Sequence, residues 1–176
     1  MTDPARRAFD AELAATATPE AAFAALHRLA AAAVGARLFT VMTVDMAAGL
    51  ARRAYTSDPG SYPATGTKPV EMNAWFEVVH GRHETFVANT LAEIAEVFPD
   101  HELIGSLGCG SVVNLPVLRA GRLVATVNLL HAEGHYTPER VARVAAELTL
   151  PAMAALLTAD LLGREGPRRP PVTRDG

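Results

Sequence analysis

Two stretches in the second half of the chain change its hydrophobic period from the 3.6 of a helix to the 2 of a strand, and this limits the folds open to it. Residues 111–118 (SVVNLPVL) and 123–131 (LVATVNLLH) are strand-like and are separated only by Arg119-Ala120-Gly121-Arg122. A linker this short, carrying a glycine, predicts a β-hairpin. A second hairpin is expected from residues 38–45 (LFTVMTVD) and 50–57 (LARRAYTS) around Gly49. Residues 84–88 form a short candidate fifth strand after a helix at about 71–81. Hairpins that follow one another without long intervening helices imply an antiparallel sheet.

Helices bracket these strands. Asp3-Pro4, Thr18-Pro19-Glu20 and Thr137-Pro138-Glu139 each place a capping side chain before a proline. Such a side chain accepts from free backbone N–H groups, and proline suits the first helical turn. The second signal leads into a helix over 19–34 with Phe23, Leu26, Ala30 and Val34 on one face, ended by Gly35. The third leads into a helix over 138–162 that carries Val141, Val144, Ala145, Leu148 and Ala152. Pro151 predicts a kink in it and Gly163 its end. Residues 58–69 hold three prolines and two glycines and read as a loop, with short helices expected before residue 111. The expected organisation is one α+β domain over 1–163: N-terminal helices 4–34, a five- to six-stranded core 37–133, and the C-terminal helix. Residues 164–176 (REGPRRPPVTRDG) read as a disordered tail.

Composition narrows the functional classes. A formal net charge of -3 provides no positive excess for a phosphate backbone, so no nucleic-acid partner is expected. Cys109 is the only cysteine, which excludes an intramolecular disulfide and any cysteine-rich zinc site. No signal peptide or continuous membrane-length apolar run is evident, so the expectation is a cytoplasmic protein without a membrane partner. Lys68 is the only lysine among many arginines and alanines, a bias that fits a GC-rich genome.

The element order, together with residues 111–117 (SVVNLPV), 121–130 (GRLVATVNLL) and 136–139 (YTPE) before the closing helix, resembles the GAF domain family. The likeness covers about residues 19–160 and suggests a small stand-alone bacterial GAF domain protein. It implies an antiparallel sheet flanked by helices, of PAS-related architecture, with one small-molecule pocket and a signalling role. Family ligands include cyclic nucleotides, bilins, haem and metabolites, so the resemblance leaves ligand and cofactor unassigned. The Asn-Lys-Phe-Asp-Glu type motif of the cyclic-nucleotide branch is missing. The free methionine sulfoxide reductase branch is similar around 84–87 and 111–117, but its two principal cysteine positions fall near Phe76 and Gly105.

Strand phase supplies candidate contacts independently. Asn114 shares a strand face with Val112, and Asn128 shares one with Thr126 and Leu130. Asparagine inside a strand needs a partner for its amide, which a ligand or loop backbone would supply equally well. Tyr55 and Trp75 are expected as core or pocket wall, and Tyr62 and Lys68 lie in the loop that the GAF resemblance places over the pocket. Together these six would bind a small polar metabolite.

Cys109, between Gly108 and Gly110, and His101 are the candidate pair for an alternative enzymatic reading, with thiol as nucleophile and imidazole as base. His80 and His83, and His131 with Glu133 and His135, have spacings that invite a metal, yet each reads more simply as a solvated helix end or turn; no metal site is assigned. A third reading is a homodimeric adaptor paired through the terminal helices.

Overall fold

The computed structural model describes residues 4–64 and 67–165. Helices α1 (Pro4–Ala15) and α2 (Pro19–Ala33) precede the β1–β2 hairpin (Leu38–Asp45, Leu50–Thr56). A short β3 (Thr67–Pro69) follows, then α3 (Ala74–Phe76), which continues into a π-helical turn at Glu77–Gly81. β4 (Phe86–Ala88), α4 (Leu91–Ala95) and α5 (His101–Ser106) lead to the β5–β6 hairpin (Ser111–Arg119, Arg122–His131) and α6 (Pro138–Glu165). The six strands form one antiparallel sheet in the order β3-β2-β1-β6-β5-β4, an α+β architecture.

Local chemistry accounts for the main boundaries. Thr18 accepts a hydrogen bond from Ala21 N at 3.1 Å and Pro19 opens α2, as its signal requires. Gly35 ends that helix at φ +83°; a Cβ there would meet His135 Nε2 at 2.8 Å, so only glycine fits both the turn and the contact. Tyr136, fully buried, donates its hydroxyl to Gly35 O at 3.0 Å and so ties the start of α6 to the end of α2.

One face of the sheet is covered by α1, α2 and α6. Phe39, Val41, Val113, Leu115, Val127 and Leu129 meet the buried residues of α2 and α6 there and form the main core. The many alanines of α2 and α6 allow these helices to approach closely. By length and composition α6 could cross a membrane; in this fold its Val144, Leu148, Ala152 and Ala155 are buried in the core. On the opposite face, Tyr62, Ala88, Ile94, Ile104 and Cys109 pack with Leu38, Val112 and Leu130 as a smaller cluster under the β2–β5 connection.

Three sequence expectations need correction. The end of the 58–69 loop is not irregular, because Thr67–Pro69 pairs with Leu50–Arg52 as an edge strand, where proline is tolerated. The 71–81 helix is only three α-helical residues with a π-helical turn. α6 does not stop at Gly163 but runs to Glu165, with Pro151 inside it. The remainder of the expected tail, 166–176, lies outside the described residues.

Candidate functional site

A cavity of about 160 Å³ lies between the face of the sheet opposite α2 and α6 and the segments connecting β2 to β5. Its floor includes Thr40 and Met42 from β1, Asn114 from β5, and Thr126 and Asn128 from β6. Its cover includes Tyr62, Trp75, Phe76, Phe98 and Ile104.

Strand register builds the floor in rows. Thr40 pairs with Asn128, and Asn128 with Asn114, across β1, β6 and β5. Residues paired across antiparallel strands share a face, so the three polar side chains lie side by side. Trp75 Nε1 donates to Asn114 Oδ1 at 3.0 Å, Asn114 Nδ2 to Asn128 Oδ1 at 2.7 Å, and Asn128 Nδ2 to Thr40 Oγ1 at 3.0 Å. This chain satisfies one donor and one acceptor group at a time and fixes the indole against the sheet. The next row joins Thr126, Met42 and Arg53 across β6, β1 and β2.

A β-bulge brings Arg53 into that row. Val41 pairs with Tyr55 but Met42 with Arg53, so Ala54 is the extra residue on β2. The parity of the strand therefore flips between Tyr55 and Arg53. Tyr55 turns to the helix side, where its ring lies 6.2 Å from Phe23 and 6.0 Å from Phe39. Its expected place in the pocket wall is corrected accordingly.

Arg53 instead lines the cavity, with its guanidinium 3.8 Å from the centroid of the Tyr62 ring and Nη1 donating to Pro63 O at 2.6 Å. The Tyr62 hydroxyl donates to Asp100 Oδ2, which joins the loop after β2 to the N-terminus of α5. Burial, and then the Asp100 carboxylate, hold the Tyr62 phenol far above its ordinary range against the opposing influence of Arg53, so it remains a neutral donor. Asn73 caps α3 by accepting from Phe76 N at 3.1 Å and donates to Val97 O at 3.1 Å, which ties the cover to the segment after α4.

The cavity thus gathers Asn114, Asn128, Trp75 and Tyr62 of the sequence candidates. Lys68 pairs through its backbone with Ala51 in β3, and its side chain lies outside what is described. Arg53, Thr126, Thr40, Asn73 and Asp100 were missed as candidates. Only Thr126 carried a sequence signal, its phase with Asn128.

Chains of solved structure share this architecture. The chain is similar to the GAF domain of a phosphoenolpyruvate-protein phosphotransferase from Acinetobacter, with a TM-score of 0.68 at 10% identity over 93% of this chain and 99% of that one. It is similar to the GAF domain of a phosphoenolpyruvate-protein phosphotransferase from Coxiella burnetii, with a TM-score of 0.65 at 18% identity over 92% and 94%. It is also similar to a free methionine-R-sulfoxide reductase from Neisseria meningitidis, with a TM-score of 0.58 at 16% identity over 92% and 95%. The chain has a GAF-type fold. No family model matches the sequence, and no curated protein does.

Within this GAF-type fold the thiol and imidazole candidates do not form a pair. Cys109 is buried in the smaller apolar cluster, with Sγ 3.9 Å from Leu107 O, and burial raises its pKa despite Arg37 nearby. His101 Nδ1 lies 3.2 Å from Phe98 O, and no hydrogen bond joins it to Cys109 among the described residues. The flanking glycines serve the chain itself. Gly108 O accepts from Arg37 Nη1 at 2.5 Å, and Gly110 N donates to His131 O at 2.8 Å.

The histidine spacings also resolve into ring contacts. His80 stacks on Phe76 with centroids 4.5 Å apart, and His131 stacks on His135 at 3.5 Å. Among the described residues no three His, Cys, Asp or Glu side chains gather as a metal site.

Proposed function

We propose that the chain is a sensory or binding module that encloses a small polar metabolite in the sheet cavity and does no chemistry on it. The observation that carries this reading is the buried polar row Thr40–Asn128–Asn114, with Trp75 bonded to it, forming the floor of a cavity whose cover mixes aromatic rings with Tyr62 and Asp100. Polar residues in a sheet interior are tolerated when they are paired, and this row pairs within itself while facing the cavity, so it offers a ligand a fixed polar wall. The GAF-type fold supports the same reading by analogy, and the buried, disfavoured thiolate of Cys109 argues against the enzymatic alternative. The proposed location is the cytoplasm.

Native mass spectrometry of the full chain tests this. A small molecule retained by the wild type and lost from Asn114→Ala and Asn128→Ala is the expected result. A wild type that retains nothing, and whose melting temperature no metabolite in a broad panel moves, would overturn the proposal.

A second reading concerns a partner, a second copy of this chain. Leu150, Leu157 and Leu161 are exposed at 73%, 40% and 60% along α6. Spacings of seven and four residues place them on one stripe, as a helix-mediated dimer requires. Light scattering should then give a dimer at micromolar concentration that Leu150→Glu/Leu161→Glu converts to monomer; a wild-type monomer would exclude it.

A further inference from the structure

Two buried side-chain polar atoms lack a hydrogen-bond partner among the described residues, Thr126 Oγ1 and Arg53 Nε. Both residues line the same cavity. They also belong to the same row of the sheet, on either side of Met42. Thr126 is 1% exposed, and its neighbours across the strands are Met42 and Pro116, whose side chains offer at most a weak thioether acceptor. A buried hydroxyl without a partner costs stability, so its persistence facing a cavity calls for an occupant.

Arg53 defines what that occupant carries. Nη1 is spent on Pro63 O and the Tyr62 ring lies against the guanidinium, so its orientation is fixed and the Nε edge is left over. That edge is one side of the arginine fork, whose parallel N–H groups match the two oxygens of a carboxylate. The Asp100 carboxylate already accepts from the Tyr62 hydroxyl. Thr126 lies two strands from Arg53, about 10 Å at the sheet backbone, a span that a ligand of several heavy atoms bridges. Met42 lies between them in the row, and the cavity lining also includes Val44, Phe76, Phe98 and Leu123, with Glu71 and Asp100 as its carboxylates.

Building on the binding reading above, we infer that the cavity takes a compact organic monocarboxylate with an apolar body. Its carboxylate docks on the Nε edge of Arg53, a ligand oxygen meets the Thr126 hydroxyl, and the hydrocarbon part lies over Met42 beneath Phe76 and Phe98. The Asn–Asn–Thr row, whose members are bonded to one another, then acts as the rigid wall of the site.

Isothermal titration of the full chain at neutral pH with hexanoate and benzoate, against hexanamide, benzamide and hexylamine, tests the inference. The acids are expected to bind, and each amide to bind its acid's site roughly tenfold or more weakly, the loss of one charge-assisted pair. Arg53→Gln should abolish the acid's advantage over the amide, and Thr126→Val should weaken the acid severalfold. Amides that match the acids, or an amine that binds more tightly, would overturn the inference on the unaltered chain, whatever the variants do. Should no probe bind while native mass spectrometry still finds a retained molecule, the carboxylate inference falls and the pocket reading stands. Should neither bind nor be retained, both fall.

Discussion

The two faces of strands β1, β5 and β6 follow different rules although they are drawn from the same residues by alternation. On the helix side, Phe39, Val41, Val113, Val127 and Leu129 are apolar, at most 1% exposed, and pack with α2 and α6 in the main core. On the other side, Thr40, Asn114, Thr126 and Asn128 are almost as deeply buried, yet they face a cavity. Four of the buried polar side chains thus collect on one face. The contrast teaches that the first face holds the fold and the second gives up packing and polar satisfaction to keep a space open.

Adjacent leucines offer the sharpest way to break this comparison. Leu129 is fully buried on the helix side, and Leu130 borders the cavity. Leu129→Ala should cost about 3–4 kcal/mol, since it opens a void in a filled core, whereas Leu130→Ala should cost about 2 kcal/mol, because that side chain already lacks neighbours on one side. Chemical denaturation of both variants measures the difference. Equal losses would mean that the two faces are packed alike and the cavity has no energetic standing.

A smaller effect of opposite sign is expected at Thr126. Thr126→Val removes the unpartnered hydroxyl with little change of shape and should raise stability by about 1 kcal/mol in the ligand-free protein. A stabilised variant that binds carboxylates less well would show that the open face exchanges stability for recognition. A destabilised one would show that the hydroxyl already has a partner, such as an ordered water.

The same alternation determines how much of the molecule can be read from its residues. The hairpins were legible because their strands keep period 2 and their turns carry glycine, and α2 because Thr18-Pro19 and Gly35 mark both ends. Asn114 and Asn128 were legible for the same reason of phase. Arg53 was not, since nothing in residues 50–57 announces that Ala54 is skipped by β1. Simple phase puts Tyr55 and Arg53 on one face, and the bulge separates them. Asp100 and Asn73 were hidden for another reason: their roles depend on contacts with Tyr62 and Val97, 38 and 24 residues away along the chain, which no local pattern encodes. β3 was masked by its proline- and glycine-rich setting, where edge pairing comes from β2 and not from local propensity.

The smallest expected effect concerns a polar group on the helix side, where the comparison allows few. His27 of α2 stacks on Phe39 with centroids 5.1 Å apart and lies 6.3 Å from the Tyr55 ring. Burial, and then the nearby Arg28 guanidinium, lower its pKa, so the fold prefers the neutral imidazole. The folded-state value lies below the ordinary one of about 6.5, and the unfolded chain therefore takes up the proton first as acidity rises. The stability associated with neutral His27 is complete above about pH 6.5 and is lost as pH falls from there through the folded-state value. His27→Phe keeps an aromatic ring on Phe39 and removes the titration. Urea midpoints measured between pH 5 and pH 8 should fall less toward acid in this variant than in wild type, with part of the slope remaining because burial and His135 also lower the pKa of His131. An unchanged slope would place His27 in solvent in both states and would weaken the description of the helix face as dry.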